Sequence, residues 1–308
     1  MTSARAQRIH AILAGSGKAL LRDVMRYVYS IRLVLPVAFW LMAALLRWWA
    51  APAFELLPAD YVAETSYTAN LRSRETPSSP AEDIESIVRR RDETLSSGDG
   101  HSIIQGDAHW STLAGTIIFE SRNLYGVDRR TGQNLAGYGN EKRIGQYLFP
   151  RHTEKQQYGF WDPIYAGPAV VSFDHVDHVG GIEVYVFNFQ INGIDETAGF
   201  AALPDVPEKY RALTFSKGLL WVEPVSGIIV DREDTGVSYF VEPKTGEHVG
   251  EPILQGSERY TPATIEAQLR IAKATRWRMH ALEVWLPVVF VVAGLLAAGI
   301  GTLRRSAR

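Results

Sequence analysis

Two apolar runs lie near the two ends of the chain, and a polar stretch of roughly 230 residues separates them. The first run covers residues 33–46 and the second covers residues 284–303. The second run has twenty residues without an ionisable side chain, about the length that an α-helix needs to cross a bilayer core of ~30 Å. The pattern therefore predicts a domain that is tied to one face of a membrane through both of its ends.

The first run is short for a membrane span, because its uncharged part has only fourteen residues. The same length would suit the apolar region of a cleaved signal peptide. A retained span is favoured because about thirty residues precede the run and Arg47 can extend its stem toward the lipid headgroups. Trp48 and Trp49 lie where an interfacial aromatic belt would be. We therefore expect a membrane helix over 32–52, with cleavage as the alternative.

Short runs that are rich in β-branched and aromatic residues recur in the region between the spans. They are separated by Gly and Pro and cover 61–71, 111–120, 170–173, 182–191, 219–222, 228–230 and 237–241. Three predicted turns begin with an acid and end at Gly132, Gly227 and Gly246, which suits hairpins. We expect a mainly antiparallel β domain over 53–260, shaped as a β-barrel or a sandwich, with a few short helices.

Helical spacing is clearest outside this β region. Residues 16–31 are amphipathic and predict a helix on the inner leaflet within a basic cytoplasmic segment 1–31. Residues 261–281 predict a juxtamembrane helix that begins at Pro262, followed by the second membrane helix over 282–303 and a cytoplasmic tail over 304–308. Residues 79–88 suit either a capped helix or a loop and a strand, and 72–83 and 95–101 are interpreted as polar loops.

Charge predicts the orientation in the membrane. Residues 1–32 carry six Lys and Arg against one acid, and the tail ends in three arginines. The region 53–280 has 22 basic and 32 acidic residues. Because short basic segments stay in the cytoplasm, we expect a two-pass protein of the cytoplasmic membrane with both termini inside and the β domain outside. Four basic residues before the second span argue the other way unless they bind anionic headgroups: Arg270, Lys273, Arg276 and Arg278.

Composition and motifs argue against most catalytic chemistry. The chain has no cysteine, which excludes thiol catalysis and thiolate metal sites. It has no Gly-x-Ser-x-Gly elbow and no complete phosphate loop, and the acidic central region disfavours nucleic-acid binding. Asp174–His178 has the residue types of a metal site, but a polar hairpin loop is the preferred interpretation. We expect no enzyme activity, no cofactor, no metal and no nucleic-acid partner.

Two groups of residues are candidates for function. Tyr158, Phe160 and Trp161 form an aromatic cluster that would line a pocket for an apolar ligand, with a role in the core as the alternative. The second span carries small residues four positions apart, a spacing that lets helices pack closely in lipid. The partner would be the first span, a second copy or another membrane subunit, and the residues are Ala293, Gly294, Ala297, Ala298 and Gly301.

Several segments resemble one family. These are Phe149-Pro150, the run Phe160-Trp161-Asp162-Pro163, and the stretches 181–187 and 220–227. Together they resemble the actinobacterial porin PorA family over residues 30–303. The resemblance implies two terminal spans around an extracytoplasmic domain. That plan is similar to the class B scavenger receptors, whose β-rich ectodomain has a lipid tunnel, although the disulfides of those receptors are missing here.

These observations lead to one functional hypothesis and two alternatives. The leading hypothesis is a non-enzymatic, membrane-anchored envelope protein whose β domain binds or transfers a lipid or another apolar ligand. The first alternative is an accessory subunit of a larger membrane complex. The second is an oligomeric, porin-like channel, since two single helices and one β domain do not form a pore wall alone.

Overall fold

The computed structural model describes residues 34–98, 100–140, 142–197 and 206–306. The chain forms two compact units, one from residues up to 54 together with those from 278 onward, and one from Glu55–Trp277. We call the first the helical unit and the second the β unit. The predicted amphipathic helix over 16–31 lies outside the described residues.

The helical unit contains two apolar helices, α1 (Val34–Glu55, up to Phe54) and α3 (Leu286–Ser306). Helix α2 (Pro262–His280) belongs to the β unit up to Trp277, and the helix continues into α3 through a π-helical turn at Ala281–Trp285. The segments Val34–Glu55 and Pro262–Gly299 are long and apolar enough to cross a membrane, with mean hydropathies of 1.6 and 2.2. The prediction of two terminal apolar helices of membrane-spanning length is therefore confirmed.

A π-helical turn interrupts each apolar helix just before a proline. In α1 it covers Leu46–Ala50 and precedes Pro52, and the turn at Ala281–Trp285 precedes Pro287. Proline has no N–H to donate, and its ring collides with the carbonyl four residues earlier. The wider turn relieves this conflict without ending the helix. The two prolines therefore account for one π-helical turn in each apolar helix.

The β unit contains one antiparallel sheet with eleven strands among the described residues. The strands are β1 (Val62–Ser73), β2 (Glu82–Ser97), β3 (His101–Thr112), β4 (Ile117–Asp128), β5 (Asn134–Gly139), β6 (Gln157–Asp162), β7 (Gly167–Val179), β8 (Ile182–Asp195), β9 (Arg211–Glu223), β10 (Ile228–Val241) and β11 (Leu254–Tyr260). Their order is β5-β4-β3-β2-β1-β11-β10-β9-β8-β7-β6. Chain neighbours therefore pair as hairpins, and the pairing of β1 with β11 joins the two halves.

The sheet curls until its two edge strands are bridged. Gln146, in the segment between β5 and β6, donates its main-chain N–H to the Gly159 carbonyl at 2.8 Å and accepts from the Trp161 N–H at 2.9 Å. On the other side, the Asn134 N–H donates to the Gly145 carbonyl at 2.9 Å. Backbone hydrogen bonds thus run from one edge to the other at this point. The fold is a rolled single sheet, which agrees with the barrel-like alternative and not with a two-sheet sandwich.

Side chains from distant strands fill the interior of the rolled sheet. One buried cluster includes Tyr67, Trp110 and Phe240, and a second includes Phe149 and Phe187. Phe149 and Tyr165, which lie in segments between strands, belong to the second cluster. Burial of such large aromatic side chains supplies most of the stability of a core without disulfides.

The structure decides one open alternative and corrects two local predictions. Of the two interpretations of residues 79–88, the loop followed by a strand is confirmed, because Ser86, Val88 and Arg90 are buried at alternate positions of β2, a period that only a strand supports. The polar segment 95–101 is not all loop, since 95–97 belong to β2 and His101 begins β3. Asp174–His178 lies inside strand β7, and the hairpin turn is Gly180-Gly181 directly after it.

Candidate functional site

A cavity of about 800 Å³ lies within the β unit. Its wall comes from the segment before β1, strands β1 and β2, the segment 143–151, the start of β10 and helix α2. This volume falls in the range of 300–1,000 Å³ that is typical of small-molecule sites. Hollows of comparable volume elsewhere on the sheet are shallower and lined mostly by polar side chains. We call this site the arginine-lined cavity.

One part of the wall is aromatic. Tyr61 and Tyr147 meet edge to face with ring centroids 6.2 Å apart, and Phe149 stacks on Phe160 at 5.7 Å. Ile271 of helix α2 adds an aliphatic side chain that is half exposed. Aromatic walls of this kind provide large apolar contact areas at a low cost in side-chain entropy. We call this surface the aromatic wall.

Another part of the wall is cationic. The lining has six arginines and four acids among the described residues. Arg129 donates from Nε to the Leu57 carbonyl at 2.8 Å, and Arg151 donates from Nη1 to the Ser226 carbonyl at 3.1 Å. Arg143 is buried, with its guanidinium 3.6 Å from the centre of the Tyr125 ring. We call Arg129, Arg143 and Arg151 the basic wall.

Two buried ion pairs lie at the inner end of the cavity. Arg90 binds Asp92 at 2.8 Å, and Tyr147 donates to the same carboxylate at 3.1 Å. Arg232 lies between Asp162 and Asp234, at 2.8 and 2.9 Å. Because β6 and β10 are separated by three strands in the sheet, this second contact holds the curled sheet together across its interior. Such pairs are costly to bury and strongly destabilising when one partner is removed.

Two buried carboxyls lie behind these pairs. Glu196 and Glu258 line a small chamber of about 30 Å³ together with Thr214 and Tyr165. Burial raises the pKa of Glu258 to about 8, with repulsion from Asp234 adding to the shift. Burial also raises the pKa of Glu196 to about 7, against a hydrogen bond from Thr214 that lowers it. Both carboxyls are therefore close to titration at neutral pH.

The structure separates the predicted aromatic cluster into two environments. Phe160 and Trp161 line the arginine-lined cavity. Tyr158 does not line it and packs in the core, with its ring centroid 5.5 Å from that of Phe149 and 5.9 Å from that of Phe187. The arginines of the wall carried no signal in the sequence, because their positions extend from 90 to 232. Only Arg143 and Arg151 flank a residue of the aromatic wall in sequence, Phe149.

The small residues of the second apolar helix have unequal surroundings. Gly294 is buried, and a Cβ atom there would collide with the indole of Trp40 in α1. Ala293, Ala297 and Ala298 are half-buried. The surroundings of Gly301 lie outside the described side chains. Phe39 and Phe290 also meet, with ring centroids 6.0 Å apart, so α3 packs against α1 of the same chain.

The Asp174–His178 segment is an exposed polar surface on β7. Asp174 and His175 hydrogen-bond to each other at 2.6 Å. Asp177 accepts from the indole N–H of Trp221 at 3.2 Å, which draws its side chain across β8 toward β9. These contacts account for the polar residues as surface interactions within the sheet.

Comparison with known proteins places the chain in a family. The family model described as Porin PorA matches residues 30–303. No curated protein matches the chain. Among solved structures, a protein from Bacteroides fragilis with a YmcC-like fold matches at 8% identity, covering 67% of this chain and 97% of that chain. Its TM-score of 0.23 is too low to support a conclusion. None of these findings concerns class B scavenger receptors, so that likeness stays a prediction.

Proposed function

The chain belongs to the Porin PorA family, and from this premise we propose that it is a non-enzymatic, membrane-anchored envelope protein whose β unit binds or passes on a lipid or another apolar ligand. The observation that carries the proposal is the cavity of about 800 Å³ with its aromatic wall. A preformed concave site with apolar walls and a few polar groups is the usual form of a ligand site.

The position of the cavity in the chain supports a ligand that comes from the membrane. Its lining includes Glu55, the last residue of helix α1, and Thr275, which lies near the end of α2. Both residues are close in sequence to the apolar helices. This closeness in sequence is what supports a ligand that comes from the membrane.

Native mass spectrometry of the full chain, purified in a mild detergent, tests this proposal. We expect lipid to co-purify, and we expect Ala267→Trp to lower the bound fraction severalfold because Ala267 lines the cavity on α2. Ala274→Trp is the matched control, since Ala274 is exposed on the same helix. A chain that carries no lipid from the cell and takes up none from added vesicles would contradict the proposal.

We propose that both termini are cytoplasmic and that the β unit lies outside the cytoplasmic membrane. The support is the excess of basic residues in the short end segments and of acids in 53–280. Protease added to intact cells should cleave within the β unit and leave a tag on either terminus protected. Cleavage of the terminal tags in intact cells would contradict the proposal and show the opposite orientation.

An oligomeric channel is the second candidate, and the family description favours it. Two single apolar helices do not form a pore wall alone, so conduction would need a pore between several copies. Reconstitution of the purified chain into planar bilayers tests this function. Stepwise conductance that Gly294→Val abolishes would support a channel built on the helical unit, and silent bilayers at high protein density would exclude it.

A further inference from the structure

The wall of the arginine-lined cavity has more positive than negative charge. The two arginines at its inner end, Arg90 and Arg232, are neutralised by aspartates that they bind directly. Of the four acids in the lining, Asp92 is used in this way and Glu64 binds an arginine outside the cavity. Without counting Arg143, two acids remain for Arg129, Arg130 and Arg151, and the cavity keeps a net positive charge.

Two arginines of the basic wall are held by neutral groups. In the described ranges of the chain, the hydrogen bonds of Arg129 and Arg151 go to main-chain carbonyls, and neither makes an ion pair. Burial lowers the pKa of the Arg151 guanidinium, with Glu55 and Glu223 opposing the shift. A partly buried cation that is held only by carbonyl dipoles would gain a strong, charge-assisted hydrogen bond from an anion.

A buried donor near the third arginine also points to a ligand. Trp161 lines the cavity and is only 8% exposed, yet its indole N–H has no acceptor among the described residues. The guanidinium of Arg143 lies 5.7 Å from the Trp161 ring. Buried N–H groups in native proteins are nearly always paired. An acceptor supplied by a bound molecule would satisfy this one.

We propose that the arginine-lined cavity binds an anionic amphiphile, with a carboxylate or phosphate head against the basic wall and an acyl chain along the aromatic wall. The inference rests on the proposed function and specifies its ligand class. Guanidinium groups match the geometry of both carboxylate and phosphate. The aromatic wall then remains available for the acyl chain of the ligand.

Calorimetric titration of the full chain in a neutral maltoside at pH 8 tests the inference with three probes. The probes are palmitate, hexadecanol with the same chain but no charge, and inorganic phosphate with the charge but no chain. We expect palmitate to bind at least tenfold more tightly than hexadecanol, the effect of one hydrogen bond to a charged group. Phosphate alone should not displace palmitate at millimolar concentration.

Two variants assign the preference to the cavity. Arg151→Gln and Trp161→Phe should each reduce the ratio of palmitate to hexadecanol affinity severalfold, while hexadecanol affinity stays within about twofold. Trp161→Phe keeps an aromatic ring and removes only the unpaired N–H, so it serves as a second test if Arg151→Gln fails to fold. Arg122→Gln is the matched control, because Arg122 is exposed on β4 and bound to Asp107.

The outcomes separate the two proposals. Equal affinity for palmitate and hexadecanol would overturn the inference and leave the proposed function standing. Absence of binding by both would overturn the proposed function itself. Displacement of palmitate by phosphate alone at similar concentration would show that the cavity takes a free anion, and the amphiphile would be rejected. If both variants leave the ratio of palmitate to hexadecanol affinity unchanged, the anion does not bind at the basic wall, and the inference would be rejected.

Discussion

Glu258→Gln should stabilise the protein at alkaline pH and destabilise it, or leave it unchanged, at acid pH. Glu258 is on β11 with its side chain in the interior, and one of its carboxylate oxygens has no hydrogen-bond partner among the described residues. Burial raises its pKa from 4.5 to about 8. The amide has nearly the same shape and carries no charge at any pH, so the substitution removes the titration without opening a cavity.

The expected magnitude follows from this shift. Below pH 4.5 the carboxyl is protonated in both the folded and the unfolded chain, and its contribution to stability is fully present. As the pH rises towards 8, the unfolded chain loses its proton first, so the free energy of unfolding falls. At about 1.4 kcal/mol per pH unit, the shift from 4.5 to about 8 corresponds to a loss on the order of 5 kcal/mol by pH 9. For a unit of this size that corresponds to roughly 10–20 °C in Tm.

Urea unfolding of the full chain in a neutral detergent, followed by circular dichroism at pH 5, 7 and 9, measures the effect. Wild type should lose stability across this range, with Glu196 contributing in the same direction because its pKa is raised to about 7. The free energy of unfolding of Glu258→Gln should fall much less between pH 5 and pH 9. Glu85→Gln is the control, since Glu85 is exposed on β2. An equal loss in wild type and Glu258→Gln would refute a neutral buried carboxyl, and so would a less stable Glu258→Gln at pH 9.

Three further substitutions test the fold. Gly145→Ala should cost about 1–3 kcal/mol more in urea unfolding than Gly181→Ala, because both glycines have a positive φ but only at Gly145 would a Cβ meet the backbone of β6; equal costs would argue against the edge bridge. Arg232→Met should cost about 3–5 kcal/mol in urea unfolding at pH 7.5, because it leaves two buried aspartates without their counter-ion; a cost no larger than that of Arg122→Gln, at an exposed arginine of β4, would contradict the buried ion pairs. Gly294→Val should lower the thermal stability of the helical unit in detergent, whereas Gly299→Val, whose Cβ meets nothing within 4 Å, should not; equal effects would argue against close packing on α1.

Patterns with a short period were reliable guides to the fold. The two apolar helices follow from run length, because hydrocarbon accepts only segments without exposed polar groups over about twenty residues. Strand β8 follows from alternating β-branched and aromatic residues, whereas the predicted run 219–222 covers only the end of β9, and 228–230 and 237–241 are the two ends of β10. Strand β2 was ambiguous because its buried face carries Arg90 and Asp92 in place of apolar residues. A hydrophobic pattern cannot mark a strand whose inward face is charged.

The candidate site could be anticipated only in part. Phe160 and Trp161 were identified as a possible lining because they form a dense aromatic segment. The basic wall was not, since Arg129, Arg143 and Arg151 belong to separate turns and have no periodicity in common. The same is true of Arg232, whose partner Asp162 is seventy residues away in the chain. Contacts at such separations depend on strand register and on the curvature of the whole sheet.

Local chemistry therefore dictated which segments suit lipid, which form strands and where turns occur, since each depends on the solvation and backbone preferences of a few neighbouring residues. The rolling of eleven strands determined the rest. It bridged the edges through Gln146, enclosed Arg232 between two aspartates and gathered arginines and tyrosines around one cavity. These outcomes arise from pairings between residues far apart in the chain, and their energies exist only once the sheet has closed.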